Sequence, residues 1–188
     1  AYPLDNRLVG SEMCIRDSEY TLSTAFDVST SSFVDAFSTS SQDGRATGIA
    51  FNNDGTKMFL TGFDGDDVNE YTLSTGFDVS TASFVDSFSV SSQEDSPSDL
   101  AFNSDGTKMF VVGVTGDDIN EYTLSTGFDV STASYDSNFS VASQDTEPTG
   151  LTFSTDGKKM FVIGNSGNDV NEYTPVSYTH LTLPTRIR

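Results

Sequence analysis

Tryptophan is absent from this sequence, and cysteine and histidine occur once each, as Cys14 and His180. Without a second cysteine there is no disulfide within the chain and no thiolate metal site. Without histidine in the body of the chain, the commonest general base and the imidazole ligand of zinc are missing too. Basic residues are scarce: 9 Lys and Arg stand against 28 Asp and Glu, a net charge of −19. So acidic a surface repels nucleic acid and anionic membranes, whose capture depends on Lys and Arg neutralising phosphates. It favours solubility and attracts cations or basic partners. No run approaches the roughly 18 apolar residues of a membrane-spanning helix.

The two singular residues lie in terminal stretches unlike the rest. Val-Ser-Tyr-Thr-His (176–180) can be written GTC TCT TAT ACA CAT; the reverse complement, ATG TGT ATA AGA GAC, encodes Met-Cys-Ile-Arg-Asp, residues 13–17. Natural segments have no reason to be antisense translations of each other. "LVGSEMCIRDS" (8–18) and "VSYTHLTLPT" (176–185) resemble translations of the transposon-type adapters used to prepare sequencing libraries. Residues 1–18 and 175–188 are therefore expected to be non-native and are set aside in reading the fold, Cys14 and His180 with them. That removes Asp5, Glu12 and Asp17 from the acids and Arg7, Arg16, Arg186 and Arg188 from the bases, leaving 25 acidic and 5 basic residues in 19–174. No secretory leader is visible, and a segment of a longer chain is not expected to show one.

What is present is repetition. "EYTLSTAFDVSTSSFVDAFSTSSQ" at 19 returns at 70 and at 121, and Tyr20, Tyr71, Tyr122 and Tyr173 keep a constant step of 51 residues. Phe51, Phe102 and Phe153 keep it, as do Met58, Met109 and Met160, with no insertion or deletion. A fixed period of this size signals stacked or radial supersecondary units. Each unit reads as four short strands. In 97–142, "DLAF" (99–102) leads through the tight turn "NSDG" to the apolar run "KMFVVG" (108–113), as expected of a strand covered on both faces. "TGDD" turns the chain into "INEYTL" (119–124), with Gly116 expected to relieve the turn of a Cβ. A longer link leads to "YDSNFSV" (135–141), where Tyr135, Phe139 and Val141 are expected to share a face. No segment holds a 3.6-residue apolar period, so the fold class is all-β.

Four antiparallel strands repeating at about 40–50 residues match a β-propeller blade. "PTGLTFSTDGKKMFVIG" (148–164) and its siblings at 46–62 and 97–113 resemble the surface propeller repeats of the YVTN and NHL type, over essentially all of 19–174. The Trp-Asp and Gly-His signatures of WD repeats are absent. The resemblance implies a partial propeller: half a blade at 19–41, whole blades at 46–91 and 97–142, and three strands of another at 148–174. Three blades do not close a ring, so a segment of a longer chain is expected, with open edges prone to self-association. An open solenoid is the alternative, disfavoured by hairpin-like turns.

In that arrangement two acidic sets share one rim. Asp64, Asp66, Asp67, Asp117, Asp118 and Asp169 lie in the turns between second and third strands; Asp43, Glu94, Asp95, Asp145 and Glu147 lie in the links between blades. The first set is the candidate for a hard cation, Ca2+ being the one its oxygens suit; the second is the candidate binding rim. The competing reading is that Gly-Asp-Asp simply makes good turns, and Asn168 replaces an Asp in the third copy. The "FDVST" aspartates, Asp27, Asp78 and Asp129, are expected to make side-chain-to-backbone turns. No catalytic residue stands out, because catalysis breaks symmetry and these copies keep it. The expectation is a non-catalytic scaffold, extracellular or on a cell or particle surface, contacting protein or glycan and requiring no cofactor. The alternatives are the scaffold portion of a propeller lyase or hydrolase, or a virion or fibre component.

Overall fold

The computed structural model describes residues 16–174; Cys14 and His180 lie outside them. Four antiparallel sheets follow one another along the chain. The first pairs β1 (Arg16–Leu22) with β2 (Ser31–Ser38). The second contains β3 (Ala46–Phe51), β4 (Lys57–Gly62), β5 (Asp67–Leu73) and β6 (Ala82–Ser89) in that order. The third repeats it with β7 (Pro97–Phe102), β8 (Lys108–Gly113), β9 (Asp118–Leu124) and β10 (Ala133–Ser140), and the fourth holds β11 (Pro148–Phe153), β12 (Met160–Gly164) and β13 (Val170–Tyr173). Within a sheet every strand pairs with its sequence neighbour, so each unit is a meander. The first strands β3, β7 and β11 stand beside one another, and the sheets fan out from them. This is the all-β propeller-blade architecture expected above.

The core lies between sheets. Phe59 of β4 packs with Leu100, Met109, Val111, Tyr122 and Leu124 of the next sheet; a sister cluster gathers Met58, Leu60 and Tyr71 with Phe37 of β2. A third joins Val112, Ile119 and Val141 to Leu151 and Val162. Both faces of a middle strand are therefore covered, which is why "KMFVVG" is apolar without alternation. Each fully buried side chain of this size contributes roughly 1.5–3 kcal/mol. β1 begins before Glu19: Arg16, Asp17 and Ser18 pair with Ser38, Phe37 and Ala36. Backbone pairing is blind to side-chain identity, so the strand runs on past the start of the repeated motif at Glu19.

Two local expectations change. Tyr135 pairs with Tyr122 and Phe139 with Ile119, with a β-bulge at Asp136 between them. Tyr122 and Ile119 point to opposite sides of β9, so Tyr135 and Phe139 do not share a face. Val34 and Val85 occupy the same bulge in the other copies. In the "GDD" turns the left-handed residue is not the glycine but the one after it: Asp66 (φ 52°), Asp117 (51°) and Asn168 (56°). Asp and Asn tolerate that region, which explains why Asn substitutes there.

The opposite turn does use glycine. Gly55, Gly106 and Gly157 have φ of 71°, 73° and 67°. Above the first two sit Phe77 and Phe128, whose N–H groups donate to the Gly55 and Gly106 carbonyls at 2.9 and 3.0 Å. Both phenylalanines are themselves left-handed, at φ 62° and 58°, a strained state for a bulky residue. Packing braces Phe128, whose ring lies 5.4 Å from Phe102 and 6.2 Å from Phe59, and Phe26 holds the same state at φ 61° with its ring exposed. Asp27, Asp78 and Asp129 follow these phenylalanine positions and accept the N–H of Ser29, Ser80 and Ser131, as expected, at 3.1–3.2 Å. A Cβ on Gly106 would strike the Phe128 ring, whereas one on Gly157 would meet nothing among the described residues. Gly157→Ala is expected to cost only the left-handed strain of about 1–2 kcal/mol. Gly106→Ala should cost distinctly more, read as a lower urea midpoint at unchanged slope.

Candidate functional site

The acidic rim is assembled one carboxylate per repeat. Asp43 accepts the N–H of Arg45 at 2.5 Å and of Gly65 at 3.1 Å. Asp145 accepts from Glu147 at 2.7 Å and Gly167 at 2.8 Å. Glu94, one methylene longer, accepts from Ser96 (2.8 Å), Thr115 (3.1 Å) and Gly116 (2.9 Å). All three side chains are buried. Each therefore ties the link entering a blade to the turn between that blade's second and third strands. Room comes from a glycine closing the second strand: a Cβ on Gly62, Gly113 or Gly164 would collide with the carboxylate of Asp43, Glu94 or Asp145 respectively. Burial pushes the Asp145 carboxyl up, but amide donation from Gly167, Glu147 and Ser166 outweighs it and holds the group below the ordinary range.

The turn aspartates divide by role. Asp67 and Asp118 open the third strand and accept side-chain amides, Asp67 from Asn69 at 2.7 Å and Asp118 from Asn120 at 2.8 Å and from Asn138. Burial, opposed by those amides, pushes both carboxyls above the ordinary range, with Asp43 and Glu94 adding repulsion. Asp169 accepts from Asn171 at 3.1 Å. Asp66 and Asp117 are the left-handed turn residues, and Asp64 lies 3.8 Å from the Arg45 guanidinium at the surface. Asp95 and Glu147 are exposed beside the buried anchors. Among the described residues no three or more His, Cys, Asp or Glu side chains form a group that could hold a metal ion. Asp43, Glu94, Asp145, Asp67 and Asp118 already spend carboxylate oxygens on N–H donors, whereas Asp64, Asp66 and Asp117 lie at the turn surface.

Two features escaped the sequence reading. Glu70, from "NEY", is buried between Lys57 Nζ at 2.6 Å and the Val130 N–H at 2.9 Å of the next sheet; Glu19 accepts the Val79 N–H at 3.0 Å in the same way. Lys57 Nζ also donates to the Phe128 carbonyl at 2.6 Å. The repetition of Glu ahead of each Tyr was the available signal. The other is Asp99, which occupies the inner strand β7 where β3 and β11 carry Gly48 and Gly150. Its carboxylate crosses to the next sheet, accepting the Leu151 N–H at 2.9 Å, and burial pushes it above the ordinary range against that donation. It borders a groove of about 270 Å³ shared with Gly150, Thr152, Phe161 and Ile163. The copies are thus asymmetric at one inward position.

No family model matches the chain, and no curated protein is similar to it in sequence. Solved structures do match in fold. A candidate 6-phosphogluconolactonase from Bacteroides uniformis aligns with TM-score 0.58 at 12% identity, over 87% of this chain and 48% of that one. A second, from Bacteroides fragilis, gives 0.55 at 14%, over 79% and 38%. The periplasmic gluconolactonase of Pseudomonas aeruginosa gives 0.55 at 13%, over 85% and 46%. These are propeller-like folds, and at such identity the likeness is one of fold alone. The chain spans less than half the length of each.

Removing the Glu94 carboxylate strands three amide donors, so Glu94→Ala is expected to destabilise by about 3 kcal/mol, whereas Glu94→Asp, the residue its two sister positions use, should cost about 1 kcal/mol or less. Urea midpoints of the two variants check this. Melting curves in EDTA and in millimolar Ca2+ are expected to coincide. A cation bound at a hundredfold excess over its Kd would raise stability by roughly 2.7 kcal/mol, and such a rise would restore the cation reading of Asp64, Asp66, Asp67, Asp117, Asp118 and Asp169.

Proposed function

We propose that the chain is part of a non-catalytic propeller scaffold on a cell or particle surface, contacting protein or glycan through its outer wall. The observation that carries this reading is the aromatic residue shown by every fourth strand. Phe33, Phe84 and Tyr135 are each substantially exposed, and each is braced edge-on by the third-strand tyrosine, Tyr20, Tyr71 or Tyr122, at 5.7–5.8 Å. A rigid exposed ring is the chemistry that stacks on a sugar face or anchors a protein contact. Repetition at a fixed spacing turns weak contacts into avidity. The buried anchors Asp43, Glu94 and Asp145 serve the scaffold, leaving Asp95 and Glu147 as the rim groups able to meet a partner.

A propeller lactonase or related hydrolase is the second reading. It is favoured by the names of the structural neighbours and by Asp99, the inner-strand carboxylate without a counterpart in β3 or β11. A virion or fibre role would use the same outer wall. Glycan arrays and surface polysaccharides, read with the intact chain, separate these. Binding is expected, and a Phe33→Ser, Phe84→Ser, Tyr135→Ser triple variant should lose roughly a hundredfold in avidity while keeping its fold. Equal binding by the triple variant would sink the outer-wall reading. Lactone hydrolysis abolished by Asp99→Gly, a change to the sister copies' own residue, would install the enzyme reading.

A further inference from the structure

Two grooves run down the outer wall, one between β2 and β6 and one between β6 and β10. Each has a buried tyrosine as its floor, Tyr71 in the first and Tyr122 in the second. From one side the floor is met edge-on by a ring of the preceding sheet, Phe37 at 5.5 Å or Phe88 at 5.4 Å. From the other side it is met by the fourth-strand ring of its own sheet, Phe84 at 5.7 Å or Tyr135 at 5.8 Å. Phe84 and Tyr135 are each 44% exposed. Both are therefore fixed from behind and open in front.

The preceding sheet adds a carboxylate to each groove. Asp35 pairs with Glu19 and Phe37 with Asp17, two steps along β2, so Asp35 stands on the face that Phe37 turns towards Tyr71. Asp86 and Phe88 repeat this on β6, paired with Glu70 and Val68 and facing Tyr122. Glu19 and Glu70 mark the same direction, since they accept the Val79 and Val130 N–H groups across these junctions. One oxygen of Asp35 accepts its own strand's Ala36 N–H at 2.7 Å, and one of Asp86 accepts the Ser87 N–H at 2.8 Å. The carboxylates are thereby held in place, exposed. No cation neutralises either one: the ion pairs among the described residues engage Arg45, Lys57, Lys108, Lys158 and Lys159 with other acids.

We infer that the two grooves bind a polymer of amino sugars carrying protonated amines, with a sugar face on Phe84 or Tyr135 and an ammonium at Asp35 or Asp86. The inference rests on the outer-wall reading and names its ligand. A braced ring takes the flat apolar face of a sugar and favours a cation beside it. A fixed carboxylate without a counter-ion selects an ammonium and rejects uronic or sulfated sugars. The excess of 28 acidic over 9 basic residues in the chain adds long-range attraction of the same sign. Symmetry chooses between a glycan and a protein. Asp35 and Asp86 are one repeat apart, as are Phe84 and Tyr135, so both grooves present the same chemistry. A homopolymer offers an identical unit to each and gains avidity, whereas a folded protein surface has no reason to repeat.

Titration calorimetry on the intact chain tests this with oligomers of glucosamine, N-acetylglucosamine, glucose and galacturonate, and with oligolysine. Glucosamine oligomers are expected to bind tightest, N-acetylated ones roughly tenfold weaker, and galacturonate not at all, with added salt weakening the first. Asp35→Asn with Asp86→Asn keeps an acceptor for the Ala36 and Ser87 N–H groups. It should bring glucosamine oligomers down to the N-acetylated level, again roughly tenfold. Phe84→Ser with Tyr135→Ser should weaken both sugars and leave the circular dichroism unchanged. Equal binding of the N-acetylated or glucose oligomers, or an Asn double variant that binds like the parent, would overturn the amino-sugar inference and leave the outer wall standing. Tighter binding of oligolysine would overturn it in favour of a basic protein segment, and silence from every oligosaccharide would overturn it as well. Glucosamine binding that survives the loss of both rings would overturn the outer-wall reading itself.

Discussion

A buried carboxylate that takes amide hydrogens from two loops at once is the constraint on which each blade depends. Asp43, Glu94 and Asp145 sit where the link arriving from one sheet is tied to the turn of the next, beside backbone bonds such as Asn165 N–H to the Glu147 carbonyl. Loops that must lie close together present unpaired N–H groups, and water is excluded there. An ionised acceptor satisfies several such donors simultaneously, more strongly than a neutral one. The glycine beneath it is part of the same device, since any side chain would push the carboxylate out. The high acid content of the rim is thus in good measure structural, and its charge is spent inward on backbone dipoles.

The sheets are joined by a second layer of bonds that cross each junction at different depths. Thr47 and Ser98 stitch the inner strands, Asp99 adds a bond between β7 and β11, and Glu19 and Glu70 reach outward to the strained turn that carries Val79 and Val130. Lys57 completes the outer stitch by meeting both Glu70 and the Phe128 carbonyl. These bonds brace the turns whose Phe77 and Phe128 are left-handed, a state that the exposed Phe26 shares without them. Hydrophobic packing between sheets supplies most of the cohesion, while the polar bonds set spacing and angle.

The period, the four-strand unit and the turn chemistry of "NDG" and "FDVST" were legible because they depend on short-range pattern. The bulge at Asp136 was not, since a one-residue slip shows only when a partner strand defines the register. The left-handed Asp66 and Asp117 were hidden behind a neighbouring glycine that seemed the obvious bearer of positive φ. The rim carboxylates looked like outward ligands because composition reports charge and not direction. A glycine at a constant distance after each of Asp43, Glu94 and Asp145 was the trace of their inward turn. Asp99 was overlooked for the opposite reason: one departure from a pattern is easily lost among faithful copies.

The junction bonds span 50, 51, 52, 60 and 71 residues, and all of them cross between neighbouring units. A single inserted residue in one unit would detune the junctions on both its sides, while whole units could be gained or lost at no cost to the rest. The molecule is therefore quantised in length. Change along this chain is cheap in steps of 51 and expensive in steps of one, and a faithful repeat needs no history of recent duplication to stay uniform.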